Sequence, residues 1–168
     1  MKRLLVLCPL FILATSATTT ATTTADELIT SAEIQSRIDA QGGQKVLWDL
    51  WDHETEFGKV ISGIESADPA WLAIAIRLRQ FSDAGASEEL DSAVALALPK
   101  APDRVLALVG HGFDIEFICT SPFTEPEPGV AEAYERKALA ALASVQTPAL
   151  KTIAAECSKR VRLTSKGA

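Results

Sequence analysis

Two of the three cysteines in this 168-residue chain restrict how its last third can fold. Cys119 and Cys157 lie deep in the sequence, whereas Cys8 lies in an N-terminal apolar segment that we expect the mature protein to lose. An even number of cysteines in an oxidising compartment predicts a disulfide. A bridge between Cys119 and Cys157 closes a long loop, which is worth roughly 3 to 4 kcal/mol in the chain-entropy model. The alternative, a nucleophilic Cys119 paired with His111, has no supporting motif.

The N-terminus has the three parts of a secretory signal. Lys2 and Arg3 precede an apolar run over residues 4–14, and small side chains follow that run. Because the run is about half of the roughly 20 residues that a bilayer span needs, we expect a cleaved signal over residues 1–21 and no stable membrane span. Cleavage fits at three positions, after Ala17, Ala21 or Ala25. Residues 26–168 are then a single domain exported to the periplasm or the medium.

The composition and the spacing of apolar residues favour helices. Hydrophobic residues make up 48% of the sequence but aromatic residues only 6%, which suits helices built on Ala and Leu better than a large β-sandwich. Apolar residues recur every three or four positions through most of the chain. Prolines beside an Asp or Thr mark helix starts, at Pro69, Pro102 and Pro148. We predict an all-α fold with six or seven helices and one disulfide, arranged as an irregular helical bundle or as stacked helical hairpins.

Several segments mark where the predicted helices end. Gly42 ends the first helix, and a second helix over residues 44–62 is predicted to be interrupted or bent near Gly58. Residues 113–117 alternate between apolar and polar, which is typical of a strand, but a lone strand would have no partner, so we predict a helix. Residues 121–129 contain three prolines and are predicted to form an acidic surface loop.

The charge of the chain limits its partners. The formal net charge is −6, and loss of the two positive charges of Lys2 and Arg3 takes it to −8. Nucleic acid is excluded because a phosphate backbone would be repelled. We expect a protein partner of basic character, which acidic side chains would complement. The side chains that carry this expectation are Asp49, Asp52, Glu54, Glu56, Glu125 and Glu127. No motif for a cofactor is found, and the oligomeric state stays open.

The densest polar and aromatic cluster, at residues 48–57, is the predicted binding site. Its members are Trp48, Asp49, Trp51, Asp52, His53 and Glu56. On one continuous helix, Asp49, His53 and Glu56 would share a face, and such N and O donors suit a divalent metal. The paired histidines of a zinc protease are missing because Phe57 stands four positions after His53. We therefore predict a solvated acidic face without a metal, on which at least one of the two tryptophans is partly exposed for contact with a partner.

Two glutamates carry an alternative, catalytic interpretation. Glu54 falls on the apolar stripe of the predicted helix, so we expect it to be half-buried and paired with Arg77 or Arg79; unpaired, it would be a general acid. The segment around Glu65 resembles the catalytic Glu-Ser segment of lytic transglycosylases. That resemblance covers residues 64–70 only, and the glycine-rich Gly-Leu-Met-Gln segment of the family is missing, so the family is not assigned.

The sequence thus predicts a small, acidic, exported helical protein of the cell envelope. Because no complete catalytic constellation is found, a non-catalytic binding or inhibitor-like module is favoured. The alternative is a small envelope hydrolase that acts on peptidoglycan or glycan, with Glu54 or Glu65 as the general acid. The choice between enzyme and binding module stays open at this point.

Overall fold

The computed structural model describes residues 29–164, with side chains up to residue 162, and this part of the chain folds entirely into helices and loops. The predicted signal over residues 1–21 and its cleavage positions lie outside these residues. The helices are α1 (Ser31–Gln41), α2 (Gly43–Trp51), α3 (Glu54–Glu65), α4 (Pro69–Arg79), α5 (Ala84–Ala97), α6 (Pro102–Leu106), α7 (Ile115–Ile118), α8 (Val130–Ala143) and α9 (Lys151–Thr164), with a 3₁₀ turn over Pro148–Leu150 before α9. The all-α prediction is confirmed. The nine α-helices within the described range exceed the six or seven expected, because some of them are very short.

The predicted interruption near Gly58 is wrong in its position. Helix α3 runs through Gly58, and the chain breaks earlier, at His53, whose backbone is not helical. The last buried residue of α2 is Leu50, and the first buried residue of α3 is Phe57. The six positions between Leu50 and Phe57 hold no buried side chain, so the chain can turn there without losing core contacts.

The predicted helix starts follow ordinary capping chemistry. Asp68 accepts a hydrogen bond from the N–H of Ala70 at 2.9 Å, and Pro69 occupies the first helical position, where its missing N–H has no cost. Pro102 and Pro148 also occupy the first positions of α6 and of the 3₁₀ turn before α9, but the residues before them, Ala101 and Thr147, make no side-chain capping hydrogen bond. These starts are therefore fixed by local sequence.

The core lies mainly between α3 and α5, with α4 packed against both. Helices α8 and α9 form a second closely packed pair, and α7 contacts both α5 and α9. Fully buried side chains from different helices meet in one cluster that includes Val60, Ile64, Leu78, Leu90 and Val94. Burial of such side chains is worth roughly 1.5 to 3 kcal/mol each, so this cluster supplies most of the driving force for the helical packing.

The predicted disulfide between Cys119 and Cys157 is confirmed. Both residues are fully buried, and the bond joins the C-terminal end of α7 to the middle of α9. Of residues 113–117, which were predicted to be helical, only residues 115–117 lie in α7; Phe113 forms one isolated bridge with Val109. No helix in the described part of the chain has the length and hydrophobicity that a membrane crossing needs.

Candidate functional site

The predicted binding site at residues 48–57 is divided between two helices. Asp49 belongs to α2, Glu56 belongs to α3, and His53 lies in the break between them. The expectation that these three residues share one helix face is therefore wrong. The Nδ1 atom of His53 lies 2.6 Å from the backbone carbonyl oxygen of Asp49. Among the described side chains, no three His, Cys, Asp or Glu residues are placed to hold a metal ion.

Two acids of this predicted site are paired with cations. Lys45 donates to both carboxylate oxygens of Asp49, at 2.7 and 3.0 Å, and Arg37 donates to Glu56 at 2.6 Å. The Lys45 hydrogen bond holds the pKa of Asp49 below its ordinary value. The negative charge that this corner offers to a basic partner is therefore reduced.

The other members of the predicted site are more open to solvent. Trp51 is 40% exposed and meets Phe57 edge-on, with ring centroids 5.5 Å apart. Trp48 is partly buried, and Asp52 is exposed. The prediction that at least one of the two tryptophans is partly exposed is confirmed.

Glu54 is exposed, so the prediction of a half-buried, paired carboxylate is wrong. The arginines expected to pair with it have other partners, since Arg77 donates to Asp39 and Arg79 donates to Asp91. The prediction placed Glu54 on an inward-facing apolar stripe because it treated α2 and α3 as one continuous helix. Glu54 instead begins α3, where an acid interacts favourably with the positive end of the helix dipole.

Glu65, the second candidate acid, lies at the end of α3 and is partly buried. The ammonium of Lys100 donates to its backbone carbonyl at 2.7 Å. Glu65 lines an open groove of about 1050 Å³ beside α8, and it is the only carboxylate among the described residues that line it. Glycoside hydrolysis usually needs two carboxylates on either side of the bond, and the described lining of this groove contains one.

A second groove, which we call the acidic groove, lies between the loop of residues 121–129 and α8. It has a volume of about 650 Å³. Its apolar floor includes Phe123, Tyr134 and Val161. The two rings meet edge-on with centroids 5.7 Å apart, and the Tyr134 hydroxyl donates to the backbone carbonyl of Ala95 in α5 at 3.0 Å. The floor is thus fixed to the core of the protein.

Four glutamates surround this apolar floor. They are Glu125, Glu127, Glu132 and Glu135. None of the four takes part in an ion pair with another described residue, and no lysine or arginine is among the described residues that line the groove. The groove therefore combines a partly exposed Phe123, which lies beside the buried Tyr134 and Val161, with four carboxylates that form no ion pair within the described part of the chain.

Sequence reasoning found only part of the acidic groove. The loop acids Glu125 and Glu127 were expected to face a basic partner, but the two glutamates of α8 and the aromatic floor were missed. One available signal was that Tyr134, the single tyrosine of the chain, lies between two acids in a helix that follows a proline-rich acidic loop. No family model matches this chain, and neither the curated proteins nor the solved structures contain a match.

Proposed function

We propose that the mature chain is an exported, non-catalytic binding module of the cell envelope, inhibitor-like in that it acts by covering part of a partner protein. One observation carries this proposal. In the acidic groove a partly exposed Phe123 lies beside four glutamates that have no ion-pair partner among the described residues, and apolar surface rimmed by polar groups is typical of interaction sites. Export is supported by the three-part signal, and the buried disulfide is compatible with an oxidising compartment.

The corner at residues 48–57 is a weaker contact surface in this proposal. Trp51 offers an exposed aromatic face there, and Asp52 and Glu54 are exposed acids. Because Asp49 and Glu56 already have cationic partners, a basic ligand would gain less at this corner than at the acidic groove.

The hydrolase alternative is supported by one specific observation, the position of Glu65 in the large groove beside α8. In that alternative Glu65 is the general acid that protonates a glycosidic oxygen. Its second carboxylate would have to come from outside the described lining of the groove.

A pair of parallel assays separates the two functions. The mature chain, purified from an envelope fraction, is incubated with isolated peptidoglycan, and soluble fragments are measured; the same preparation is cross-linked to envelope proteins. For a binding module, we expect a specific cross-linked partner and no fragment release above that of a Glu65→Gln variant. Glu89→Gln is the matched control because it removes an exposed acid of α5 that lines neither groove, and Glu54→Gln tests the other general-acid candidate in the same assay. Fragment release that is lost in Glu65→Gln, with cross-linking intact, would reject the binding module.

A further inference from the structure

We propose that the acidic groove binds a basic segment of a partner protein, an extended stretch in which lysine or arginine residues flank apolar side chains. This inference rests on the proposed function and names the chemistry of the partner. The cationic side chains pair with the glutamates of the rim, and the apolar side chains cover the floor between the loop of residues 121–129 and α8.

The floor of the groove is suited to apolar side chains. Val161 is buried, Phe123 is partly buried, and Pro126 and Pro128 extend the apolar surface along the loop. The volume of about 650 Å³ lies within the range of about 300 to 1,000 Å³ of ordinary ligand pockets, which is room for a few side chains. Because Tyr134 is buried and its hydroxyl is engaged with α5, this tyrosine adds no free hydrogen-bonding group to the groove.

The rim of the groove selects positive charge. Glu125, Glu127 and Glu132 are exposed, Glu135 is half-buried, and none of them has a described cationic partner. A lysine or arginine beside the apolar floor is partly shielded from water, so its attraction to these carboxylates exceeds that of a fully solvated pair. Complementary charge of this kind raises the association rate and excludes acidic competitors.

The spacing of the glutamates favours a polypeptide over a small cation. No three acidic or other ligating side chains in the described part of the chain are close enough to hold one metal ion. All four carboxylates line the groove, and a polypeptide can bring several cationic groups to them at once. A chain that carries those groups together with apolar side chains matches both parts of the groove, as in other peptide-recognition grooves.

Calorimetric titration of the mature protein with synthetic decapeptides tests the chemistry of the ligand. The probe alternates lysine with leucine, and the two matched peptides carry glutamine or glutamate in place of lysine. We expect the lysine peptide to bind at least about tenfold more tightly than the glutamine peptide, and the glutamate peptide not to bind. Binding of the lysine peptide should weaken as NaCl is raised from about 0.05 to about 0.5 M, because salt screens the charges. Equal affinity for the lysine and glutamine peptides would overturn the proposal.

Two charge-matched variants test the location. The groove variant carries Glu125→Gln, Glu127→Gln, Glu132→Gln and Glu135→Gln. The control variant removes the same number of exposed acids that lie outside both the acidic groove and the corner at residues 48–57, through Glu33→Gln, Asp83→Asn, Glu88→Gln and Glu89→Gln. We expect the groove variant to bind the lysine peptide about tenfold more weakly, and the control variant to stay within about twofold of the wild type. Circular dichroism melting of both variants establishes that they are folded.

The outcomes are distinct. Equal weakening in the two variants would mean that net charge alone attracts the peptide, which overturns the groove assignment. A wild-type dimer that dissociates in the groove variant would show that a second copy of the chain occupies the groove, which also overturns it. If the lysine peptide fails to bind while cross-linking to an envelope partner persists, this inference fails and the binding module stands. If peptide binding and cross-linking are both absent, both proposals fail.

Discussion

Replacing either of two glycines of α3 with alanine should change the stability of the fold in opposite directions. A Cβ atom at Gly63 would lie 2.5 Å from Cδ2 and Cε2 of the Trp71 ring and 2.9 Å from its Nε1. A Cβ atom at Gly58 meets nothing within 4 Å. The two positions share one helix, so they differ mainly in what lies opposite them.

The expected magnitudes follow from two competing terms. Alanine in place of glycine stabilises a helix interior by roughly 0.5 to 1 kcal/mol. At Gly63 this gain is opposed by overpacking, which typically costs about 1 to 3 kcal/mol. The contacted ring atoms belong to the fused edge of an indole held in α4, so the clash cannot be relieved at the flexible end of a side chain. We expect Gly58→Ala to raise the free energy of unfolding by up to about 1 kcal/mol, and Gly63→Ala to lower it by about 1 to 2 kcal/mol.

Urea unfolding followed by circular dichroism measures both values under the same conditions. Tryptophan fluorescence of the native state adds a local readout, because Gly63→Ala should displace the Trp71 ring whereas Gly58→Ala should leave the spectrum unchanged. Stabilisation by both substitutions would refute the reasoning, since it would mean that Trp71 does not pack on α3 at Gly63.

Two further predictions concern the covalent and ionic contacts of the fold. Removing the disulfide with Cys119→Ala and Cys157→Ala should lower the free energy of unfolding by about 4 kcal/mol, from the separation of 38 residues. In denaturant titrations, the reduced wild type should fall within about 1 kcal/mol of the double variant; a much larger loss in the double variant alone would assign the effect to packing rather than to the cross-link. The hydrogen bond from Arg77 holds the pKa of Asp39 below its ordinary value, so this pair stabilises the fold at neutral pH, and the contribution is lost as the pH falls through the lowered pKa. An Arg77→Gln variant should return the pKa of Asp39 towards its ordinary value in an NMR titration of the carboxyl carbon, and an unchanged pKa would contradict the pairing.

The features that the sequence alone determined are those set by neighbours along the chain. An Asp side chain followed by Pro69 fixes the start of α4, because the hydrogen-bond acceptor and the first free N–H groups lie within three residues of each other. Apolar residues recur at every third or fourth position. Because a helix places such residues on one face, the sequence predicted helices that pack through that face. The pairing of Cys119 with Cys157 followed from there being only two cysteines in the sequence outside the predicted signal.

Tertiary structure decided where those inward faces point. Glu54 looked half-buried only while α2 and α3 were treated as one helix, and the break at His53 places it in solvent. The acidic groove depends on Phe123 from a loop, Tyr134 from α8 and Val161 from α9, which lie far apart in the sequence. Burial depends on which distant segments pack together, and periodicity within one segment carries no information about that. Interactions between neighbouring residues therefore determined the helices, whereas the packing of α8 and α9 against the loop of residues 121–129 formed the acidic groove.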